Sequence, residues 1–348
     1  MEITEHTFLS ERHTTFYRAC GPEHGPLIIL THGWPELSIS WRHQLSYLGS
    51  KGYRAVAPDM RGYGGSSIYS EHSAYAQREI VKDMIELIDG LGREKAVWIG
   101  HDWGSPVAWN VALHHPERVA AVASLCVPFG FSGHPKDLEY AINRELYPAD
   151  EYPAGQWEYQ LFYYEDFDKA QEEMEDNPER VVKLLFRKGD PNAQGQIAAT
   201  ALTRKNGGWF KLMGGVPDSP TDYDVVTDQD IATYAKHLTE NGFFGPNSWY
   251  INGDANQAYL DEKTDLTLSM PALFVHATYD YVCDTTTTGF AKPMRELCKD
   301  LTEERLDCGH WMAQEKPAEL NEILSNWLSG QAEYPATELL ATQTSQVK

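Results

Sequence analysis

The apolar positions in the first third of the chain fall into short unbroken runs, separated by stretches with helical spacing. Residues 14–19, 26–31, 53–57, 96–99 and 121–127 are rich in Val, Ile, Leu and Ala and lack strict alternation. Such runs suit strands covered on both faces. Between two of them, Ile80, Val81, Met84, Leu87, Ile88 and Leu91 recur on one helix face. Residues 104–115 read as another helix, stopped by Pro116. This alternation predicts a mostly parallel central sheet flanked by helices, with right-handed crossovers.

The pattern breaks near Phe129. From there to about Tyr250 the chain is aromatic, acidic and helix-like, with Pro and Gly interruptions. Strand signals return at residues 271–276 and 301–306, and Leu320, Ile323, Leu324, Trp327 and Leu328 mark a closing amphipathic helix. The expected organisation is an α/β core in two parts, 1–130 and 251–330, interrupted by a helical insertion at 131–250. Residues 331–348 are polar and small and read as a C-terminal extension.

Charge and cysteine content narrow the partners. The formal net charge is −22, from 29 Lys and Arg against 51 Asp and Glu. That disfavours nucleic acid and anionic membrane surfaces. No apolar run approaches the roughly 20 residues of a spanning helix. The acidic start, Met1-Glu2-Ile3-Thr4-Glu5-His6, does not read as a signal peptide, nor Ser345-Gln346-Val347-Lys348 as a targeting address. Cys20, Cys126, Cys283, Cys298 and Cys308 are odd in number and scattered, with neither zinc spacing nor a disulfide framework. A reducing, cytoplasmic location is the expectation.

The chemistry begins at Gly100-His101-Asp102-Trp103-Gly104, directly after the run at 96–99. This is a G-x-S-x-G nucleophile elbow with aspartate in place of serine. A carboxylate is ionised at neutral pH and attacks without a base. It forms an ester with an electrophilic sp3 carbon, which argues for ring opening or dehalogenation and against an esterase. Asp102 as a mere helix cap is the plainer reading. It weakens once partners are found. His310 stands in Cys308-Gly309-His310-Trp311, after the last strand, as candidate base. Asp280 follows the strand at 271–276 as its orienting acid, with Asp284 and Asp254 as nearby alternatives. His32-Gly33-Trp34-Pro35 follows the run at 26–31 and suits an oxyanion loop. The backbone N–H groups of Trp34 and Trp103 are the candidate donors, and Trp34, Trp103 and Pro35 the candidate substrate contacts.

Glu36 either helps place a water or bonds a nearby backbone N–H. Arg61-Gly62-Tyr63-Gly64 reads as a structural turn. His114 and His115 end a helix before Pro116, where imidazoles suit the C-terminus, and they do not read as metal ligands. Cys308, near His310, is a candidate for inhibitory oxidation or alkylation.

The chain resembles an epoxide hydrolase of the α/β-hydrolase fold. The segments that carry this are His32–Glu36, Asp59–Ser67 and Gly100–Gly104, with the order nucleophile, acid, histidine along the chain. The resemblance implies a helical cap domain as the insertion. Trp157-Glu158-Tyr159-Gln160-Leu161-Phe162 and Phe244-Gly245-Pro246-Asn247-Ser248-Trp249-Tyr250 resemble the two segments that hold the family's epoxide-polarising tyrosines. It therefore nominates Tyr159 and Tyr250; periodicity alone selects neither from nineteen tyrosines. It implies a small-molecule epoxide and water as the reacting partners, a vicinal diol as product, and no cofactor or metal. Monomer and homodimer stay open.

Two other functions compete. A haloalkane or haloacid dehalogenase uses the same aspartate, histidine and acid, and Trp103 offers a halide donor. However, Trp34 stands where some haloalkane enzymes carry asparagine, and no arginine flanks the elbow as a haloacid carboxylate would require. A ligand receptor on this fold should have lost part of the catalytic set, yet every member can be assigned.

Overall fold

The computed structural model describes residues 1–130 and 133–331. Eight strands form one sheet: β1 (Thr4–Leu9), β2 (Thr14–Cys20), β3 (Leu27–Thr31), β4 (Arg54–Pro58), β5 (Ala96–His101), β6 (Val119–Leu125), β7 (Leu268–Ala277) and β8 (Cys298–Leu306). Their spatial order is β1-β2-β4-β3-β5-β6-β7-β8. From β4 to β8 the pairing is parallel; β2 joins β1 and β4 antiparallel. The central strands β3 and β5 are buried at every position, as their unbroken apolar runs require.

The chain steps from β3 outward to β4, returns across β3 to β5, and then proceeds the other way. The reversal opens a crevice at the carboxyl ends of β3 and β5, where ligands of such sheets bind. Helix α1 (Arg42–Ser50) links β3 to β4, and α2 (Gln77–Gly90) links β4 to β5. Buried Ile80, Val81, Met84, Leu87 and Ile88 give α2 its core face. Helix α3 (Gly104–His114) follows β5 and is buried on nearly every side.

Strand β1 escapes the apolar pattern. It is a polar edge strand, Thr-Glu-His-Thr-Phe-Leu, and ladder bonds to β2 rather than buried side chains hold it. Between β6 and β7 the described residues form helices only, including α4 (Glu158–Glu165). Strand β6 spans 119–125 where the pattern suggested 121–127. The C-terminal extension, from residue 332 on, lies outside the described residues. Among the described residues, no helix is long and apolar enough to cross a membrane.

Candidate active site

Asp102 sits at the tip of the β5–α3 turn with φ of +48°, left-handed for a residue with a Cβ. The flanking glycines make this turn sterically possible. A Cβ on Gly100 would lie 2.4 Å from the Gly104 carbonyl oxygen, and one on Gly104 would lie 2.2 Å from that of Thr31. Gly33 is constrained the same way, since a Cβ there would lie 2.3 Å from Asp102 Oδ1. The loop after β3 thus passes close over the carboxylate. The Trp34 backbone N–H donates to Oδ1 at 2.7 Å, and the Trp103 N–H donates to the same side chain. Burial raises the Asp102 pKa, and His310, His101 and these two N–H groups work against that rise.

On the other side, His310 Nε2 lies 3.6 Å from Asp102 Oδ2. Its Nδ1 donates to Asp280 Oδ2 at 2.6 Å. Asp280 is fixed in turn by the Val282 and Cys283 N–H groups on Oδ1. Burial opposes charge on both partners, yet the contact lowers Asp280 and lifts His310 to about 9, with Asp102 adding to the lift. Of the alternative acids, Asp284 turns to Thr286 and Thr287, and Asp254 is exposed in the first turn of a helix.

Tyr159 on α4 and Tyr250, just after Phe244–Ser248, meet edge to face with ring centroids 5.5 Å apart. The Tyr250 ring lies 5.7 Å from Trp34 and 5.2 Å from Trp103, so the pair faces the elbow. Burial raises both phenols, Asp102's charge adds to this, and both stay protonated. Gln160 Nε2 donates to the Tyr159 hydroxyl at 3.2 Å, which leaves the hydroxyl proton free to point elsewhere. Pro35, next in the chain to Trp34, is buried.

The comparisons with known proteins point to one family. Residues 26–317 match the model of the alpha/beta hydrolase fold family. Bifunctional epoxide hydrolase 2 of Sus scrofa is 37% identical over 316 residues, covering 90% of this chain and 53% of that protein. The chain thus spans about half the length of that relative. Epoxide hydrolase A of Mycobacterium tuberculosis is 33% identical over 318 residues, covering 89% of this chain and 92% of that protein. The crystal structure of Epoxide Hydrolase A from Mycobacterium thermoresistibile superposes with a TM-score of 0.78 at 32% identity, covering 94% and 99% of the two chains. The chain belongs to the epoxide hydrolases of the α/β-hydrolase fold.

Sequence reasoning left Glu36 open and missed several other residues of this site. Glu36 is buried, accepts the Gly33 N–H at 2.9 Å and holds His101 Nδ1 at 2.7 Å. The local-backbone reading of Glu36 is therefore the one observed. Burial would raise its pKa, but His101 brings it down to about 2. The other His101 nitrogen faces the His310 carbonyl oxygen at 2.8 Å. Both ring nitrogens are thus engaged, one by a carboxylate and one by a carbonyl. One buried pair therefore ties the oxyanion loop, the elbow and the histidine loop together. Asn247 accepts from Trp34 Nε1 at 3.0 Å across 213 residues of sequence. Tyr163 stacks on Tyr250 at 4.9 Å, and Trp209 lies 5.3 Å from Tyr159 and 6.1 Å from Trp34.

One expectation is met and one is corrected. His114 and His115 do stand at the C-terminal end of α3; burial lowers both pKa values, and His114 stacks on Tyr259 at 3.6 Å. Cys308 is fully buried and its pKa is raised by that burial, so it lacks the thiolate character that oxidation or alkylation needs. Two donor groups, His101-Cys126-His310 and Asp280-Cys283-His310, gather within 4.8 Å. The nitrogens of His101 and Nδ1 of His310 are already hydrogen-bonded, and burial raises both thiols, so these read as packing around the triad.

Proposed function

We propose that this chain hydrolyses an apolar epoxide to a vicinal diol, with Asp102 as nucleophile. The observation that carries the reading is the arrangement around its carboxylate. Oδ1 rests on the Trp34 N–H, the His310–Asp280 pair stands beside Oδ2, and two buried phenols close the far side. The helical insertion, residues 131–250, acts as the cap that brings Tyr159 and Tyr250 over the core segments 1–130 and 251–330. Trp34, Trp103 and Pro35 line the substrate side.

In this reading Asp102 Oδ2 bonds to one oxirane carbon as that carbon's C–O bond breaks. Tyr159 and Tyr250 hydrogen-bond the oxygen as its charge develops. The resting histidine is protonated, since Asp280 and Asp102 hold it near 9 against burial. It supplies the net proton that turns the alkoxide into an alcohol. Esterification then removes the charge of Asp102, one support of the imidazolium, and leaves a neutral imidazole. His310 takes a proton from water as the water oxygen attacks the ester carbonyl. Charge builds on Oδ1, which the Trp34 N–H already meets, with the Trp103 N–H donating to the same carboxylate. Collapse sends the new acid's proton to the departing alkoxide and restores the Asp102 carboxylate and the His310 imidazolium. The proton inventory closes with only epoxide and water consumed.

Dehalogenation is disfavoured because the groups facing the elbow include two buried phenols, Tyr159 and Tyr250, which suit a developing alkoxide rather than a halide. A cytosolic location agrees with five cysteines that are all buried and free. The test is product analysis against matched epoxides and haloalkanes, with Asp102→Ala as the blank. Diol that vanishes in Asp102→Ala is expected, together with an ester adduct in His310→Gln seen by intact mass. Halide without diol would overturn the reading.

A further inference from the structure

A groove of about 340 Å³ opens between the insertion and the core beside the histidine loop. Of the site residues, His310 and Asp280 line it; Asp102, Trp34, Trp103, Tyr159 and Tyr250 are not on its walls. Its other walls include Arg187, Gln196, Ile197 and Tyr281. We infer that this groove is the route by which water reaches His310, separate from the path taken by the epoxide. The inference rests on the epoxide hydrolase reading of the site.

Three observations support it. The groove is built, because several bonds fix its walls across the two parts of the molecule. Glu315 Oε2 accepts the Gly189 N–H from the insertion at 3.1 Å and the Gly309 N–H from the histidine loop at 2.8 Å. The Tyr281 hydroxyl donates to the Asp190 carbonyl at 3.0 Å, and Trp311 Nε1 donates to the Leu185 carbonyl at 2.6 Å. Its lining also differs from the rest of the site. Arg187, Lys188, Asp190 and Gln196 stand there among apolar residues such as Leu185, Ile197 and Val282, whereas Trp34, Trp103, Trp209 and Tyr163 surround the tyrosine pair. The charged groups hold water in the groove, while an apolar epoxide partitions to the aromatic side. Finally, it ends at the one group that needs water. The His310 side chain keeps 22% of its surface accessible, against 2% for Asp280. Since the proton inventory closes internally, the route has only water to deliver.

Gln196 and Ile197 are exposed at the groove, so large side chains can be placed there without disturbing the core. Gln196→Trp and Ile197→Trp should leave single-turnover ring opening unchanged. Breakdown of the ester should slow about fivefold or more, with a larger steady-state adduct by intact mass. Gln196→Ala and Ile197→Ala should keep both rates at the parent level. Slower ring opening with unchanged ester breakdown would make the groove the epoxide's door, and two unchanged rates would make it a surface cleft. Either overturns the inference. Failure of the parent to form any ester would instead overturn the functional reading itself.

Discussion

At the scale of single residues, the site is a set of charges that depend on one another. Burial opposes charge on Asp102, Asp280 and His310, and their mutual contacts, with His101 and the neighbouring backbone N–H groups, work against it. The consequence is a pH dependence with a definite sign. Ester breakdown needs neutral His310, so its rate should fall as pH drops through the pKa that histidine has in the ester form. That value should lie below the resting figure of about 9, because the ester carries no charge to raise it. Asp280→Asn removes the largest support of the imidazolium, so the acid limb should move further down in pH while the plateau falls. Adduct decay followed against pH checks both, and a midpoint above 9 would contradict the scheme. The elbow was legible because its parts are adjacent in sequence. The tyrosines were not, since Tyr163 lies one helical turn beyond Tyr159 and is as deeply buried; only family resemblance separated them. His101, Asn247 and Trp209 gave no signal because their partners are remote in the chain.

At the scale of elements, the reactive turn depends on backbone contacts that leave no room for a methyl group. Helix α3 starts where Gly104 touches the end of β3, so helix, turn and two central strands are locked together. Gly104→Ala should cost about 3 kcal/mol or more, because the Cβ meets a backbone oxygen that cannot move alone. Thermal unfolding measures this, and a Tm unchanged from the parent would show that the turn relaxes. Strands β3 to β7 were readable because burial on both faces demands continuous apolar runs. Strand β1 was not, because an edge strand draws on ladder bonds and needs no such run. Strand β8, whose pattern marked only 301–306, begins at Cys298 for the same reason, with most of its side chains exposed.

At the scale of the molecule, one buried carboxylate joins parts far apart in sequence. Asp83 on α2 is inaccessible to solvent and meets Arg61 at 2.6 Å; Arg12, in the β1–β2 turn, reaches it at 2.5 Å. The Arg61 carbonyl in turn accepts from Trp249 Nε1 in the segment carrying Tyr250. The antiparallel edge, the helical layer and the tyrosine segment thus share one network. Asp83→Ala would strand a buried guanidinium and should lower stability by about 3–5 kcal/mol. Denaturant unfolding checks it, with Asp83→Asn expected to recover part of the loss. The glycines at 62 and 64 announced a turn here, but nothing near them announced Asp83 as its anchor.

The two oxygens of Asp102 are not equivalent at rest: one is held by the Trp34 N–H and the other stands beside His310. In the proposed scheme the unheld oxygen becomes the ester bridge and leaves with the product, and the attacking water's oxygen replaces it in the side chain. Each diol would then carry away an atom that belonged to the protein, and the solvent atom consumed in one cycle would emerge only in a later one. Fed heavy-oxygen water, a fresh enzyme would release unlabelled diol first and become isotopically marked itself.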